Sequence, residues 1–479
     1  MIFPSYIFVL AFLPLVLCGW YLIRSYRAKL AFLTAMSYVF YGWLDYRFVA
    51  LMLASTLLDY HCGRKIAASD SPAGRKRWLI CSIAGNLGSL GFFKYYGFFT
   101  QSCAELLAVI GIDASLPVLN VVLPLGISFY TFQSMSYSID IYRGQCKPTG
   151  DLLLFTAYVS MFPQLVAGPI VRYSDIENQL ATLRHQKTNH EQICDGAWLF
   201  VIGLVKKIWI ADVLAPVAAL AFDTESSPQM ITAWVGTLCY TFQIYFDFSA
   251  YSDMARGLGL MMGFTFPINF NSPYKSANIS EFWNRWHITL SHWLRDYLYI
   301  PLGGSRCGSA KTLRNLGITM FLGGLWHGAA WNFVVWGMFH GALLMTHATW
   351  KRLTRVQLNR TLAIGVTFVS VMVGWVFFRA HSLEGAGSVL AGMFGMHGVE
   401  PFLYVSATLG ISFPGIYEQF SGMHGLAFLL FVTVLTFGAP NSEEIPKLRQ
   451  PIVGVAMGTV AVCTLTTFMN ETPFLYFMF

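Results

Sequence analysis

Two stretches of the sequence place histidines among aromatic residues, where an imidazole could act as a base or orient a substrate. The first is SEFWNRWHITLSHWLRDYLYIPLGG, residues 280–304. On a continuous helix, four of its side chains would share one face: Trp283, His287, Ser291 and Leu294. His292 would point elsewhere, so His287 is the better candidate for a functional side chain. The alternative is a helix anchored at the membrane interface, whose histidine only forms a hydrogen bond.

The second stretch is FLGGLWHGAAWNFVVWGMFHGALL, residues 321–344. Three glycines bracket His327 and leave backbone room for a substrate or another helix to approach: Gly323, Gly324 and Gly328. No charged residue lies within ten positions of His327. Because a neutral imidazole costs less in apolar surroundings than a carboxylate or an ammonium group does, we predict that His327 is an unprotonated base. The alternative is a histidine satisfied by backbone carbonyl groups.

A third motif, YFDFSAYSDMARGLG, covers residues 245–259 and places Asp247 and Asp253 near the end of an apolar segment. We interpret these carboxylates as members of structural ion pairs, with Arg256 or a lysine of a loop, rather than as catalytic groups. The glycines that follow do not come after a strand, so a dinucleotide site is not expected. No serine or cysteine has the GxSxG setting that is typical of one covalent acyl-enzyme class.

No metal site is predicted. His340 and His347 lie seven residues apart and would need a distant third ligand to hold a metal ion. The nine cysteines are scattered, mostly in apolar runs, and form no CxxC pair. We therefore expect them to be small core residues rather than zinc ligands or a disulfide framework.

The elements that must position these residues are membrane helices. Of 479 residues only 11% are charged and 55% are hydrophobic, whereas about 25% are charged in an ordinary globular chain. This composition excludes a disordered, collagen-like or nucleic-acid-binding protein and predicts an all-α, polytopic membrane protein. The formal net charge of +7 is explained by lysine and arginine kept in cytoplasmic loops, so we use it for topology and not for the substrate.

Apolar stretches separated by basic loops predict about ten transmembrane helices. They are residues 3–23, 30–44, 48–62, 78–99, 121–142, 197–222, 231–250, 363–378, 427–438 and 452–468. Residues 316–350 predict a helical hairpin that enters and leaves on one face. Residues 152–170 are interrupted by prolines and predict a re-entrant segment. No internal repeat divides the chain, so we expect a single domain over residues 1–479.

The positive-inside rule gives the predicted orientation. Basic loops such as residues 64–77 and 351–360 mark the cytoplasmic side, and the N-terminus lies outside. The first apolar stretch has no basic segment before it, so we interpret it as a retained helix rather than a cleaved signal.

Several motifs together resemble the membrane-bound O-acyltransferase family, and most closely its bacterial branch that includes the membrane subunit of alginate O-acetylation. They are LPLGISFYTFQSMSYSIDIYRG, FPQLVAGPIVRY, YFDFSAYSDMARGLGLMMGF, FWNRWHITLSHWLRDYLYIPLGG, GGLWHGAAWNFVVWG and the terminal PFLYF. The resemblance implies a funnelled multi-helix fold. His327 matches the invariant histidine of the family, and His287 matches its second, more variable polar position. Ala250, Asn284 and Thr289 depart from the residues usual in the branch, and none of these departures removes either histidine.

The resemblance also implies a reaction and its participants. A thioester donor, acetyl-CoA, would enter from the cytoplasm beside the basic segment 275–314 as a co-substrate, with no permanently bound cofactor. His327 would take a proton from an acceptor hydroxyl group, and His287 would orient the donor or acceptor or polarise the carbonyl. The predicted donor-binding residues are Lys275, Arg285, Arg295, Trp283 and Trp326. The acetyl group would pass across the bacterial inner membrane to a periplasmic acetyltransferase partner, with membrane lipids around the helices.

Other functions stay open at this point. The acceptor could be alginate, peptidoglycan, cellulose or another cell-surface glycan, and D-alanyl transfer to teichoic acid is a more distant alternative. Broken segments and polar residues within the membrane are also typical of a transporter for a polymer or a lipid-linked sugar. A third class is a non-enzymatic scaffold for a polysaccharide synthase, in which the histidines would be replaceable.

Overall fold

Helices dominate the structure because a helix satisfies its backbone polar groups within its own segment, which lipid surroundings require. The computed structural model describes residues 1–113, 117, 119, 121–183, 188–223, 227–354, 356–401, 411–412, 419–420, 423–445, 451–466 and 474–475. In these residues the extended structure is one short antiparallel pair, β1 (Ile411–Ser412) and β2 (Gln419–Phe420), with Ile411 opposite Phe420. The prediction of an all-α protein is therefore confirmed apart from this pair.

The chain forms two compact units that alternate along the sequence. The first contains Met1–Gly196 and Ala255–Pro267, and the second contains Ala197–Met254 and Ile268–Phe479. Each unit is built from two segments of the chain. The expectation of a single domain over residues 1–479 stays a prediction.

The part of the chain before the second unit contains ten helices in its described residues. They are α1 (Leu13–Leu22), α2 (Tyr26–Gly42), α3 (Arg47–Ala68), α4 (Pro72–Leu90), α5 (Tyr96–Val109), α6 (Ile127–Tyr142), α7 (Leu152–Ser160), α8 (Phe162–Leu165), α9 (Tyr173–Thr182) and α10 (His190–Val205), whose last turns continue into the second unit. Two π-helical turns adjoin them, Ile7–Phe12 before α1 and Gly91–Tyr95 after α4.

The remaining helices follow in chain order. They are α11 (Asp212–Phe222), α12 (Met230–Met261), α13 (Ile279–Trp283), α14 (Ile288–Leu294), α15 (Ser309–His327), α16 (Trp331–Leu353), α17 (Arg360–Arg379), α18 (Leu383–Met393), α19 (Met423–Gly438) and α20 (Pro451–Thr466). Shorter turns lie between them, π-helical at Lys206–Ala211 and Arg295–Tyr299 and 3-10 at Pro273–Lys275.

A buried carboxylate ties three helices of the first unit together. Asp59 on α3 is fully buried. It accepts hydrogen bonds from the Ser82 hydroxyl and from the Asn86 amide, the latter at 2.7 Å, and from the Ser138 hydroxyl at 3.1 Å. Because α4 carries Ser82 and Asn86 while α6 carries Ser138, this one side chain satisfies polar groups of both neighbouring helices.

The predicted re-entrant segment is broken where the prolines indicated. Helix α7 ends at Ser160, and the chain turns at Met161 before the one-turn helix α8. Every residue from 155 to 171 is buried, which is the condition under which irregular backbone is tolerated at membrane depth. The re-entrant path itself stays a prediction.

The number of membrane crossings also stays a prediction. Among the residues that the structure describes, Arg360–Arg379 is the one helix both long and apolar enough to span a membrane, and Ile7–Leu22 and Gly425–Gly438 are shorter apolar helices. Other helices are interrupted by π-helical turns or carry charged residues, as α12 does at Asp247 and Asp253, so length and composition alone do not mark them.

The predicted hairpin over residues 316–350 forms as α15 and α16. The two helices are antiparallel, since Gly324 lies against Gly337 while Gly317, further back on α15, lies near Met345, further along α16. A Cβ atom at Gly324 would lie 2.9 Å from the Cα atom of Gly337. Glycine at both positions therefore allows a backbone-to-backbone approach that any larger residue would prevent.

Candidate active site

His327 is the last residue of α15, which ends because Gly328 adopts an extended conformation (φ −157°, ψ 148°). The side chain is buried, with 6% of the residue exposed. Three rings contact the imidazole edge-on, those of Trp326 and Trp336 at 5.0 Å and that of Phe378 at 5.3 Å between centroids. The sequence-based expectation of an imidazole in apolar surroundings therefore matches its position.

The glycines around His327 serve two purposes. A Cβ atom at Gly324 would lie 2.4 Å from the carbonyl oxygen of Phe333, and one at Gly328 would overlap the Phe333 ring. At these two positions the space is taken by α16. Of the two alternatives that the sequence left open, a substrate or another helix, the helix makes the close approach here. Gly323 instead lines a pocket together with His327.

This pocket has a volume of about 220 Å³ and is formed within the second unit. Its aromatic lining comes from Trp283, Trp336 and Tyr299, and its aliphatic lining includes Leu290, Leu316 and Leu344. Its polar lining residues, besides His327 itself, are Ser280, Asn284, Ser291, His292, Arg295 and Thr319. A mostly apolar pocket with a few polar groups is the usual form of a small-molecule site.

The helix predicted through His287 is broken, and this part of the sequence-based prediction is wrong. Helix α13 ends at Trp283 and α14 begins after His287, whose backbone is left-handed (φ 43°, ψ 54°). For a residue other than glycine this conformation costs about 1–2 kcal/mol. Because of this turn, Trp283 and His287 do not share a helical face.

The break changes which side chains reach the pocket. Of the four residues predicted to share a face, all but His287 line it. His292, which we expected to point elsewhere, lines it as well. His287 is fully buried and is not among the described residues of the lining. His287 is therefore set apart from the described lining of this pocket.

The structure nevertheless brings His287 and His327 together. Their ring centroids are 6.4 Å apart, and the Trp326 ring lies 6.0 Å from that of His287 and 5.0 Å from that of His327. Phe248 packs edge-on against His287 at 4.8 Å. His287 lies outside the predicted membrane-spanning segments, and burial lowers its pKa from 6.5 to about 3, so its ring is uncharged at neutral pH.

The five predicted donor-binding residues occupy three kinds of position. Trp283 and Arg295 line the pocket with His327, and Arg295 also pairs with Asp296 at 2.7 Å. Trp326 packs against both histidines. Within the described part of the chain, the lining does not include Trp326, Lys275 or Arg285.

Lys275 and Arg285 have partners elsewhere in the second unit. The ammonium group of Lys275 donates to the carbonyl oxygen of Ala439 at 2.6 Å. Arg285 forms an ion pair with Glu281 at 2.9 Å and donates to the carbonyl oxygen of Asn271 at 3.3 Å. A role for these two side chains in donor binding stays a prediction.

Comparison with known proteins places this site in a family. Residues 148–384 match the membrane-bound O-acyltransferase family, a range that contains both histidines and the whole pocket lining. The chain is 46% identical over 395 residues to the probable alginate O-acetylase AlgI of Azotobacter vinelandii, which covers 82% of this chain and 78% of that protein. The chain belongs to the membrane-bound O-acyltransferase family. It is therefore an acyltransferase, and the transporter and scaffold alternatives lose their support.

Two further relatives of this O-acyltransferase extend the comparison. The probable alginate O-acetylase AlgI of Pseudomonas putida is 39% identical over 495 aligned positions that cover the full length of both chains. The peptidoglycan O-acetyltransferase of Helicobacter pylori is 38% identical over 430 positions, covering 83% of this chain and 81% of that protein.

The carboxylates of the third motif form ion pairs in this O-acyltransferase, a buried one at Asp247 and a partly buried one at Asp253. Asp253 pairs with Lys206 at 2.6 Å, and Asp247 pairs with Lys207 at 2.8 Å. Lys207 also contacts Asp212 at 2.8 Å. The structural interpretation is confirmed, although the partners are two consecutive lysines of the 197–222 segment instead of Arg256 or a loop lysine.

Sequence reasoning missed several residues around His327. Trp336 and Phe378 pack against its ring, and Asn284 and Tyr299 line its pocket. For Trp336 a signal was available, because a glycine-to-glycine hairpin contact between α15 and α16 brings the start of α16 back to the end of α15. For Phe378, which lies on the separate helix α17, the sequence contains no such signal.

Proposed function

We propose that this O-acyltransferase takes an acetyl group from cytoplasmic acetyl-CoA and supplies it, across the bacterial inner membrane, for O-acetylation of an exported polysaccharide such as alginate, through a periplasmic acetyltransferase partner. Its relatives named as alginate O-acetylases and as a peptidoglycan O-acetyltransferase support membrane O-acetylation of a polysaccharide. The observation that carries the proposal is the buried imidazole of His327 on the wall of a pocket of about 220 Å³.

His327 acts as the general base in this proposal. Its imidazole takes the proton of the acceptor hydroxyl group as the oxygen attacks the thioester carbonyl carbon. A carbon–oxygen bond forms, the carbon–sulfur bond breaks, and the imidazolium returns the proton to the departing CoA thiolate. The products are the acetyl ester and free CoA. A positioned base of this kind contributes about a hundred- to ten-thousand-fold to the rate.

The surroundings of His327 suit this role. The rings of Trp326, Trp336 and Phe378 pack edge-on against the imidazole, which also lines the pocket. The mostly apolar lining of the pocket disfavours the water that would hydrolyse the thioester.

His287 has an orienting role in the proposal. Its ring lies beside those of His327 and Trp326, and we assign to it the role of fixing the position of the base and of Trp326. Arg295 is the predicted donor-binding cation that lines the pocket, and we assign it to the phosphate groups of CoA, which a guanidinium group binds well.

One experiment tests the acceptor and the donor together, by following a labelled acetyl group from acetyl-CoA to the polysaccharide. Membranes that contain the full chain and its periplasmic partner are given acetyl-CoA labelled in the acetyl group, together with alginate. We expect labelled alginate esters that depend on the chain and on the partner. The proposal would be contradicted if no polysaccharide became labelled, or if labelling were equal in membranes without the chain.

A second acceptor is supported by one comparison. Because the peptidoglycan O-acetyltransferase of Helicobacter pylori is 38% identical to this chain, close to the 39% of one alginate relative, peptidoglycan is the alternative acceptor. The same assay with peptidoglycan in place of alginate separates the two, since the labelled product identifies the acceptor.

A further inference from the structure

We propose that Asn269 is a positioning residue of the transfer reaction, which holds the backbone at His287 in its left-handed conformation and so sets the position of the His287 ring beside His327. This inference rests on the proposed function, because it assumes that His287 serves acetyl transfer. Nothing in the sequence around Asn269 marks it for such a role.

Three hydrogen bonds connect Asn269 to the two residues that follow His287. The main-chain N–H of Ile288 donates to the carbonyl oxygen of Asn269 at 3.0 Å. The main-chain N–H of Thr289 donates to Oδ1 of Asn269 at 3.2 Å, and the Thr289 hydroxyl donates to the same atom at 3.0 Å. A strained backbone conformation persists only when its surroundings fix it from several directions, and these bonds act directly after the strained residue.

Asn269 is itself held in place. Its Nδ2 atom donates to the hydroxyl oxygen of Ser252 on α12 at 3.3 Å. Asn269 is 1% exposed and Ser252 is 2% exposed, so water does not compete for these bonds. The long helix α12 therefore serves as the support from which Asn269 fixes the start of α14.

The chain before His287 is held by the same neighbouring segment. The main-chain N–H of Asn271 donates to the carbonyl oxygen of Arg285 at 2.9 Å, and the Arg285 guanidinium group donates back to the carbonyl oxygen of Asn271. Asn269 and Asn271 thus form hydrogen bonds with the chain on both sides of the turn at His287. Arg285, a predicted donor-binding residue, makes this contact and is not among the described residues of the pocket lining.

The amide of Asn269 is needed for this arrangement. It offers one oxygen that accepts two hydrogen bonds and one nitrogen that donates one, all in a buried place. Alanine would remove the oxygen to which the main-chain N–H and the hydroxyl of Thr289 donate. The turn at His287 would then lose its support on the side of α14, while the rest of α12 and α15 would keep its contacts.

The test uses the full-length protein in membranes with its partner, assayed with labelled acetyl-CoA. We expect Asn269→Ala to lower kcat about 10- to 100-fold with little change in KM for acetyl-CoA, because a displacement of catalytic groups of about 1 Å can cost a hundredfold in rate. Thr289→Val, which loses the hydroxyl donor, should lower kcat in the same way, and Thr289→Ser, which keeps it, should restore the wild-type rate.

A matched control separates positioning from stability. Asn86 is a buried asparagine of the first unit whose side chain also makes three hydrogen bonds, to Ser55, Asp59 and the Ser82 carbonyl. Asn86→Ala should lower the melting temperature without changing kcat per folded molecule. An equal loss of kcat in Asn86→Ala and Asn269→Ala would overturn the proposal, as would Thr289→Ser behaving like Thr289→Val.

A double-mutant cycle shows whether Asn269 acts through His287. In a His287→Ala background, Asn269→Ala should cause no further loss of kcat, because the ring that it positions is gone. A loss equal to that in the wild-type background would mean that Asn269 acts independently, and the inference would be wrong. If His287→Ala alone kept the wild-type rate, the orienting role of His287 in the proposed function would be wrong. A wild-type rate in Asn269→Ala alone would contradict only the inference about Asn269.

Discussion

The imidazole rings of His287 and His327 lie 6.4 Å apart, although His287 directly precedes α14 and His327 is the last residue of α15. The contact depends on two backbone features. A left-handed residue turns the chain at His287, and the extended Gly328 ends α15 at His327. Both rings are then held by the indole of Trp326, which touches each of them.

Replacing the base should abolish transfer without unfolding the protein. We expect His327→Ala to lower kcat about a hundred- to ten-thousand-fold, since that is the usual contribution of a positioned general base. The measurement is labelled acetyl transfer per folded molecule in membranes, with membrane insertion checked by protease protection. His190→Ala, at an exposed position at the start of α10, is the control and should keep the wild-type rate. His327→Ala with more than a tenth of that rate would remove His327 from the proposed role.

Much of this site could be predicted from the sequence, and the part that could not has a physical cause. The glycines around His327 indicated a close approach by a substrate or by another helix, and the apolar run around it indicated apolar surroundings. The break at His287 was not predictable, because the sequence NRWHITL contains no glycine or proline to mark it. Its left-handed turn is held by hydrogen bonds that the next two residues donate to Asn269, 18 positions earlier in the chain, and a local pattern contains no information about such a partner.

Charge on His287 should not contribute to the pH dependence of transfer. Burial lowers the pKa of this histidine from 6.5 to about 3, so the ring is already uncharged above pH 5. We therefore expect His287→Gln to change the rate but not the apparent pKa of kcat/KM between pH 5 and 8. A shift of that apparent pKa by more than about half a unit would show that His287 carries the proton.

The same pKa predicts how stability depends on pH. Between pH 6.5 and about 3 the unfolded chain binds a proton at His287 that the folded protein does not, so stability at this site falls as the pH falls through that range and is unaffected above it. The melting temperature of His287→Gln should therefore fall less between pH 7 and pH 5 than that of the wild type. Equal losses in both proteins would contradict the effect of burial.

Removing the buried lysine between two carboxylates should destabilise the second unit. Lys207 is 2% exposed and lies 2.8 Å from both Asp247 and Asp212. Lys207→Met would remove the ammonium group that pairs with both carboxylates, and breaking a buried ion pair typically costs about 3–5 kcal/mol. Thermal melting in detergent measures the loss. Arg47→Met, which removes the exposed partner of Asp45, is the matched control and should melt as the wild type does, and a Lys207→Met protein that melts at the same temperature would show that the pair is not needed.

The close contact between α15 and α16 should be required to position the base. A Cβ atom at Gly324 would lie 2.4 Å from the main-chain oxygen of Phe333, and backbone cannot move aside as a flexible side chain can. Gly324→Ala should therefore push the two helices apart, lower stability by about 1–3 kcal/mol and displace His327, which lies one helical turn further along α15.

Activity and stability respond differently to this change and to its control. At Gly365 on α17 a Cβ atom would meet no atom within 4 Å, and alanine favours a helix over glycine by up to about 1 kcal/mol, so Gly365→Ala should be as stable as the wild type or more so and equally active. Gly324→Ala should lose transfer activity per folded molecule even at a temperature where it remains folded, because the displaced imidazole no longer meets the acceptor hydroxyl group. If the folded Gly324→Ala protein transferred acetyl groups at the wild-type rate, the position of His327 would not depend on this helix contact.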